Sequence, residues 1–159
     1  MAEESSSGLD DVDRRILAEL QADAGLSNAE LAERVGVSAS PCWRRVKRLE
    51  EEGILRGRVA LVDAKKLGLD LTAFALISLD RHAESGIEAF HEAMQAAPEV
   101  TSCHAVTGAV DFLVTVVVRD MAAYDRFLSR RLLGLPGVRS VNTSFVLRTV
   151  KASTALPVE

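Results

Sequence analysis

Cysteine is scarce. The 159 residues hold two, Cys42 and Cys103, in regions of different character, so neither a disulfide framework nor a CxxC metal or redox motif is available. Both are expected to be buried free thiols. Long apolar runs are missing as well: Ala73 to Ile77 and Phe112 to Val118 fall far short of the ~20 residues that a membrane helix needs. The opening Met-Ala-Glu-Glu-Ser-Ser-Ser-Gly has acids where a signal peptide has its basic start, and no apolar stretch follows. The chain is therefore expected to be cytoplasmic, with no membrane partner. Catalytic constellations are absent too. His82, His91 and His104 form no HExxH, and there is no GxSxG, Walker or dinucleotide loop. Cys103 and His104, adjacent in a strand, point to opposite faces. No catalytic residue, metal or cofactor is expected.

Positive charge is also in short supply, with 19 basic residues against 23 acidic ones, which argues against a general nucleic-acid binder. The average hides a pattern. Residues 9–43 carry three basic side chains against seven acids, whereas 44–58 carry six (Arg44, Arg45, Lys47, Arg48, Arg56, Arg58) against three. With 48% hydrophobic and 26% charged residues the chain has the composition of a packed globular protein.

Residues 1–8 are polar and without periodicity, a disordered tail. From Leu9 the apolar residues Leu9, Val12, Ile16, Leu17 and Leu20 fall at helical spacing, with Asp10 placed to cap and Gly25 to stop the helix beyond Asp23. Ser27-Asn28-Ala29-Glu30 is a capping box opening a short second helix that ends at Gly36. Ser38 is expected to cap a third helix, with Pro41 in its first turn and Gly53 at its end. After it, Ile54 to Val62 alternates in a way that predicts a two-strand ribbon turning at Gly57.

Three short helices and a ribbon describe a winged helix-turn-helix over residues 9–62. At about 100° per residue, Cys42, Val46 and Leu49 share one face of the third helix. Arg44 and Arg48 point the other way, with Ser40 and Pro41 beside them, while Arg45 and Lys47 flank that stripe. One face packs and the other offers cations, as a recognition helix entering a major groove requires. Trp43 lies at the edge of that face, and Ser38 and Ser40 can hold a phosphate at the helix start. Arg56 and Arg58 are expected to reach flanking backbone from the wing. As a plain solvated helix, the same run would instead pair Lys47 with Glu51 and Arg48 with Glu52.

Residues 63–70, with two lysines and Gly68, read as a linker, and 71–159 as a second domain. Strand, helix, strand over Leu71–Leu79, Gly86–Ala97 and Val100–Val106 is followed by strand, helix, strand over Asp111–Arg119, Met121–Leu133 and Val138–Val150, giving βαββαβ. Pro98-Glu99-Val100-Thr101-Ser102 and Pro136-Gly137-Val138-Arg139-Ser140 repeat the same Pro-x-Val-x-Ser exit from a helix into a strand, the mark of a split βαβ unit. The run Phe112 to Val118 reads as a strand buried on both sides, one face under helices and the other awaiting a partner sheet. The fold class is α+β, a winged helix-turn-helix followed by a ferredoxin-like βαββαβ domain.

The run Ser38-Ala39-Ser40-Pro41-Cys42-Trp43-Arg44-Arg45-Val46-Lys47-Arg48-Leu49-Glu50-Glu51-Glu52-Gly53-Ile54 resembles the signature of the leucine-responsive regulatory protein/AsnC (feast/famine) transcription regulators. Leu9-Asp10-x-x-Asp13, Gly108-x-x-Asp111-Phe112 and Leu135-Pro136-Gly137-Val138 extend the resemblance over nearly the whole chain. It implies binding to double-stranded DNA, homodimers assembling to octamers or similar discs, and a small effector, commonly an amino acid, held between subunits. In the family the loop between the second and third strands carries Gly-Asp-x-Asp. Here it is Thr107-Gly108-Ala109-Val110-Asp111, so Ala109 removes one anionic anchor. His104, Met121 and Ser144 complete the effector site that the resemblance implies. Without a ligand, Gly108 is a positive-φ turn residue and Asp111 a turn-capping carboxylate. Sirohaem decarboxylases resemble the family in both domains and give an alternative, a tetrapyrrole enzyme using His104 or His91, in which the basic stripe has no role. An effector sensor with a silent helix-turn-helix is a third reading.

Overall fold

The computed structural model describes residues 8–80 and 84–158, with no side-chain detail at Glu84 and Ser85. The expected tail thus lies almost entirely outside the described residues, as does His82. No helix among the described residues is long and apolar enough to cross a membrane.

The chain divides into two compact units. In the first, α1 (Asp11–Ala22), α2 (Asn28–Val35) and α3 (Ala39–Glu51) start where the sequence places caps. Asp10 accepts from the backbone N–H groups of Val12 and Asp13, while Asp13 accepts from that of Asp10. Ser27 and Glu30 form the reciprocal box at α2. Ser38 occupies the N-cap of α3, but its side chain makes no capping bond. Gly36, at φ 73°, closes α2 in a Schellman turn, its own N–H reaching Glu33 O and that of Val37 reaching Ala32 O. That left-handed turn is what aims α3 away from α2. Ile16, Leu17, Leu20, Leu31, Val35, Cys42, Val46 and Leu49 make one core.

Ile54 to Val62 departs from expectation, because no strand forms there. The first arm of the expected ribbon is used up in ending α3, where the Leu55 N–H bonds back to Leu49 O. A two-strand ribbon without further support is marginal in any case. Val59 and Leu61 stand exposed.

The division falls at Leu61/Val62, and the residues from Lys151 group with the first unit rather than with the 71–159 domain expected. Gln21 holds them, donating from Nε2 to Leu156 O and accepting from Leu156 N at Oε1, while Val158 packs on the helical core.

The second unit is β1 (Leu71–Leu79), α4 (Glu84–Ala96), β2 (Val100–Ala105), β3 (Phe112–Val118), α5 (Met121–Phe127) and β4 (Val138–Phe145). Its sheet runs β2-β3-β1-β4, antiparallel throughout, as a split βαβ pair dictates. Ala73, Ala75, Ile77, Val114 and Val116 face Phe90, Met94, Tyr124, Phe127 and Leu132 in its core. On β3 burial alternates strictly, so the double burial expected is not met within one chain. The face bearing Phe74, Leu76, Leu113 and Val117 is only partly covered.

Three further departures have visible reasons. β4 stops at Phe145 rather than Val150, because beyond the Val146 N–H to Thr72 O bond β1 offers no further neighbour. Cys103 is exposed rather than buried, because β2 is an edge strand. The helix from Met121 passes into a π-helical turn over Leu128–Leu132. In a regular α-helix Arg131 would sit seven residues after buried Tyr124 and nearly above it. The wider turn instead brings Leu132 into the core and leaves Arg131 exposed.

Candidate DNA interface and effector loop

On α3, Cys42, Val46 and Leu49 are buried as the periodicity predicts, and burial pushes the Cys42 thiol up. The cations are distributed differently from expectation. Arg45 Nη1 donates to Asp10 at 2.6 Å and to Asp13 at 2.9 Å, and Arg48 Nη2 donates to the other oxygen of Asp13. Arg45 and Arg48, two of the cations expected on the DNA-facing side, are thus tied to α1. Lys47 pairs with Glu50 at 2.9 Å rather than with Glu51, and Arg48 is taken by Asp13 rather than Glu52.

Asp13 was the residue that sequence reasoning missed as a functional element. Its side chain is 1% exposed. Burial alone would raise its pKa, but the hydrogen bonds from Arg48 and Arg45 outweigh that and hold the carboxyl below its usual range. For Asp10, the bond from the Asp13 backbone and then that from Arg45 bring the value down to about 2. A buried carboxylate gripping two guanidinium groups fixes the roll of α3 against α1. Asn28 adds a second tie, its Nδ2 donating to Ala39 O at 2.8 Å, and Arg34 joins α2 to Glu19 of α1 at 3.2 Å. The signal was there in Asp10-x-x-Asp13, whose second acid lies on the apolar side of α1 with Ile16, Leu17 and Leu20.

What α1 leaves untied on α3 is a stripe at positions i, i+3, i+4 and i+7: Ser40, Trp43, Arg44 and Lys47, all exposed, with Lys47 paired, among the described residues, only to Glu50 of its own helix. It holds one hydroxyl, one indole that is 53% exposed and two cations. Ser38 is exposed beside it and Pro41 half-buried; Arg56 and Arg58 are exposed in the irregular segment that follows. Such a surface matches base edges and phosphates in a major groove.

The loop between β2 and β3 brings Thr107, Gly108, Ala109, Val110 and Asp111 together by chain continuity. Gly108 has φ 124° with open space around it. Asp111 accepts from the Leu79 N–H at 2.8 Å through its carboxylate, while its backbone N–H donates to Ile77 O and its C=O accepts from the Val106 N–H, so side chain and backbone together tie the ends of β1, β2 and β3. His104 pairs across to Leu113 on the open face of the sheet. Ser144 is on the same face opposite Phe74, three strands away, about 14 Å. Met121 begins α5 at the far end of β3, roughly 20 Å from the loop. Within one chain these residues do not converge. A cavity of about 470 Å³ lies elsewhere, between α4 and β2, and is lined by His91, Met94, Gln95, Cys103 and Phe112 among others. His91 packs on Phe112, on the helix-covered face, so His91 and His104 sit on opposite faces of the sheet. Among the described residues no cluster of three or more His, Cys, Asp or Glu is placed to hold a metal.

Three helices presenting a cationic stripe, followed by a separate βαββαβ unit, make a two-domain DNA-binding regulator. The chain matches the winged helix-turn-helix DNA-binding model over residues 9–56 and the Lrp/AsnC ligand binding domain over residues 72–156. It is 44% identical over 151 residues to the DNA-binding transcriptional activator DecR of Escherichia coli K12, covering 95% of this chain and 99% of that one. It is 43% identical to the leucine-responsive regulatory protein of the same strain, over 95% and 92% of the two. The crystal structure of a Neisseria meningitidis transcriptional regulator in complex with L-Met superimposes with a TM-score of 0.91 at 42% identity, over 94% and 96% of the two chains. The structure of Escherichia coli AsnC does so with a TM-score of 0.85 at 30% identity, over 94% and 99%. The chain belongs to the Lrp/AsnC family and is a DNA-binding transcriptional regulator.

Proposed function

We propose that the chain regulates transcription in the cytoplasm as a homo-oligomer, with dimers assembling to octamers or a similar particle, and that an amino acid bound between subunits sets its DNA affinity. The observation that carries the DNA reading is the division of labour on α3. Arg45 and Arg48 are held by Asp13, leaving Ser40, Trp43, Arg44 and Lys47 to face the groove, with Ser38, Pro41, Arg56 and Arg58 at its margins. The amino-acid reading draws support from the L-Met held by the Neisseria regulator. In this chain the effector is assigned to Thr107–Asp111 with His104, Met121 and Ser144, and the scatter of these residues within one subunit fits a site completed by a second. Ala109 leaves Asp111 as the acid available to an ammonium group, and Asp111 already caps Leu79. The reading gives the chain no catalytic step.

The test is a gel-shift titration on DNA upstream of the chain's own gene, at two salt concentrations, with and without a pool of the common amino acids. Salt-weakened binding that the pool alters is expected. Arg44→Ala binding as tightly as the parent would remove α3 as the reader. Indifference to the pool would remove the effector.

A further inference from the structure

The helix-turn-helix does not hold the chain's only concentration of cations. Between Arg119 and Arg139 the sequence carries five arginines against two acids, whereas elsewhere acids outnumber bases 21 to 14. All five (Arg119, Arg126, Arg130, Arg131 and Arg139) are exposed. The five ion pairs found among the described residues involve none of them. Of the two acids, Asp120 is occupied in capping α5, accepting from the Ala123 N–H at 2.7 Å. The stretch is the whole β3-α5-β4 crossover, so its arginines line the outer side of one helix and both of its approaches. The helical part, Met121 to Leu132, is about 18 Å long, the rise of about five phosphates along one DNA strand. The π-turn contributes directly, since it turns Arg131 outward beside Arg130 while seating Leu132 in the core.

From this geometry we infer that the α5 face of the second unit is a further DNA-backbone contact, separate from the recognition helix and indifferent to sequence. All five cations are arginines, whose planar fork fits phosphate. A chain already bound to DNA through α3 also holds phosphate at high local concentration. The competing occupant is a second copy presenting α4, whose sequence holds three glutamates and no arginine or lysine. Three acids against five cations leaves the pairing incomplete, so the observations favour DNA.

The contact is tested by measuring the affinity of the full chain for a 150-bp duplex of random sequence at several salt concentrations, alongside its sedimentation. Replacing Arg126, Arg130 and Arg131 together by alanine is expected to make the log–log salt slope shallower by about 2–3 and to weaken binding about tenfold or more. The corresponding lysine variant should keep the parent's slope, and the mass of the particle should not change. An unaltered slope in the alanine variant overturns the inference. So does a change in particle mass, which would assign the arginines to contacts between copies. The inference rests on the regulator binding DNA, and Arg44→Ala, run in the same titration, tests α3 while leaving this face intact.

Discussion

Asp13 and Arg44 show how one helix separates folding from recognition. Asp13 is buried with both oxygens committed to Arg45 and Arg48, so Asp13→Asn leaves Arg48 without its anion and Arg45 with Asp10 alone. Both arginines keep contact with water, so the loss falls below that of a fully buried pair, at about 2–3 kcal/mol. Trp43 is the only tryptophan and its fluorescence reports the unfolding of this unit. The pKa values of Asp10 and Asp13 are depressed in the fold, so the stability they contribute is complete above their unfolded value near 4. It is lost as pH falls from there, for Asp10 toward about 2. Acid titration of Trp43 fluorescence should show that loss in the parent and a flatter profile in Asp13→Asn; parallel profiles would exclude the clamp. Among the described residues Arg44 has no such partner. Arg44→Ala should leave the melting temperature within a degree or two and cost about 1–3 kcal/mol of DNA affinity, whereas Arg48→Ala should lower the melting temperature as well.

At the level of elements, close packing decides more than propensity does. Gly86 lies in α4 where an added Cβ would meet Pro136 O at 2.7 Å, a backbone atom that cannot swing aside. Gly86→Ala is therefore expected to destabilise the sheet unit by about 1–3 kcal/mol, seen as a lower denaturant midpoint by far-UV circular dichroism with the Trp43 transition unmoved. A common shift of both signals would show that the two units unfold together. The helices and strands were legible because their signals are local: Asp10, Ser27 and Gly36 sit where caps belong, and the β-branched-rich run Phe112–Val118 reads as a strand even though its burial alternates. What escaped the sequence depends on neighbours that periodicity cannot supply. Leu55 spends its N–H on α3 rather than on a ribbon, Gln21 recovers the chain's end, and the π-turn appears only once Leu132 competes with Arg131 for the core. The same limit applies at the two sites. The stripe on α3 was visible as a helical face, but which arginines were free depended on Asp13, 32 and 35 positions away from Arg45 and Arg48.

For the molecule as a whole, the unfinished feature is the open face of the sheet. Phe74, 39% exposed, and half-buried Leu76, Leu113 and Val117 form an apolar patch across adjacent central strands, and soluble monomers rarely leave such patches uncovered. A second copy of the same face is self-complementary under a twofold axis. Leu113→Lys would place a charge within it, opposite Leu76. Because the lysine projects away from the core of its own chain, the monomer should keep its fold, with unchanged circular dichroism and a sedimentation mass reduced to that of one chain. Loss of the partner also removes the second recognition helix. A dimer gains about 10²- to 10⁴-fold from binding two half-sites at once, so the variant should lose affinity of that order on a two-half-site duplex and almost none on a single half-site. Unchanged mass would place the assembly surface elsewhere. Reduced mass with full affinity on the paired sites would mean that the two helices never acted together, and that dimerisation serves the effector alone.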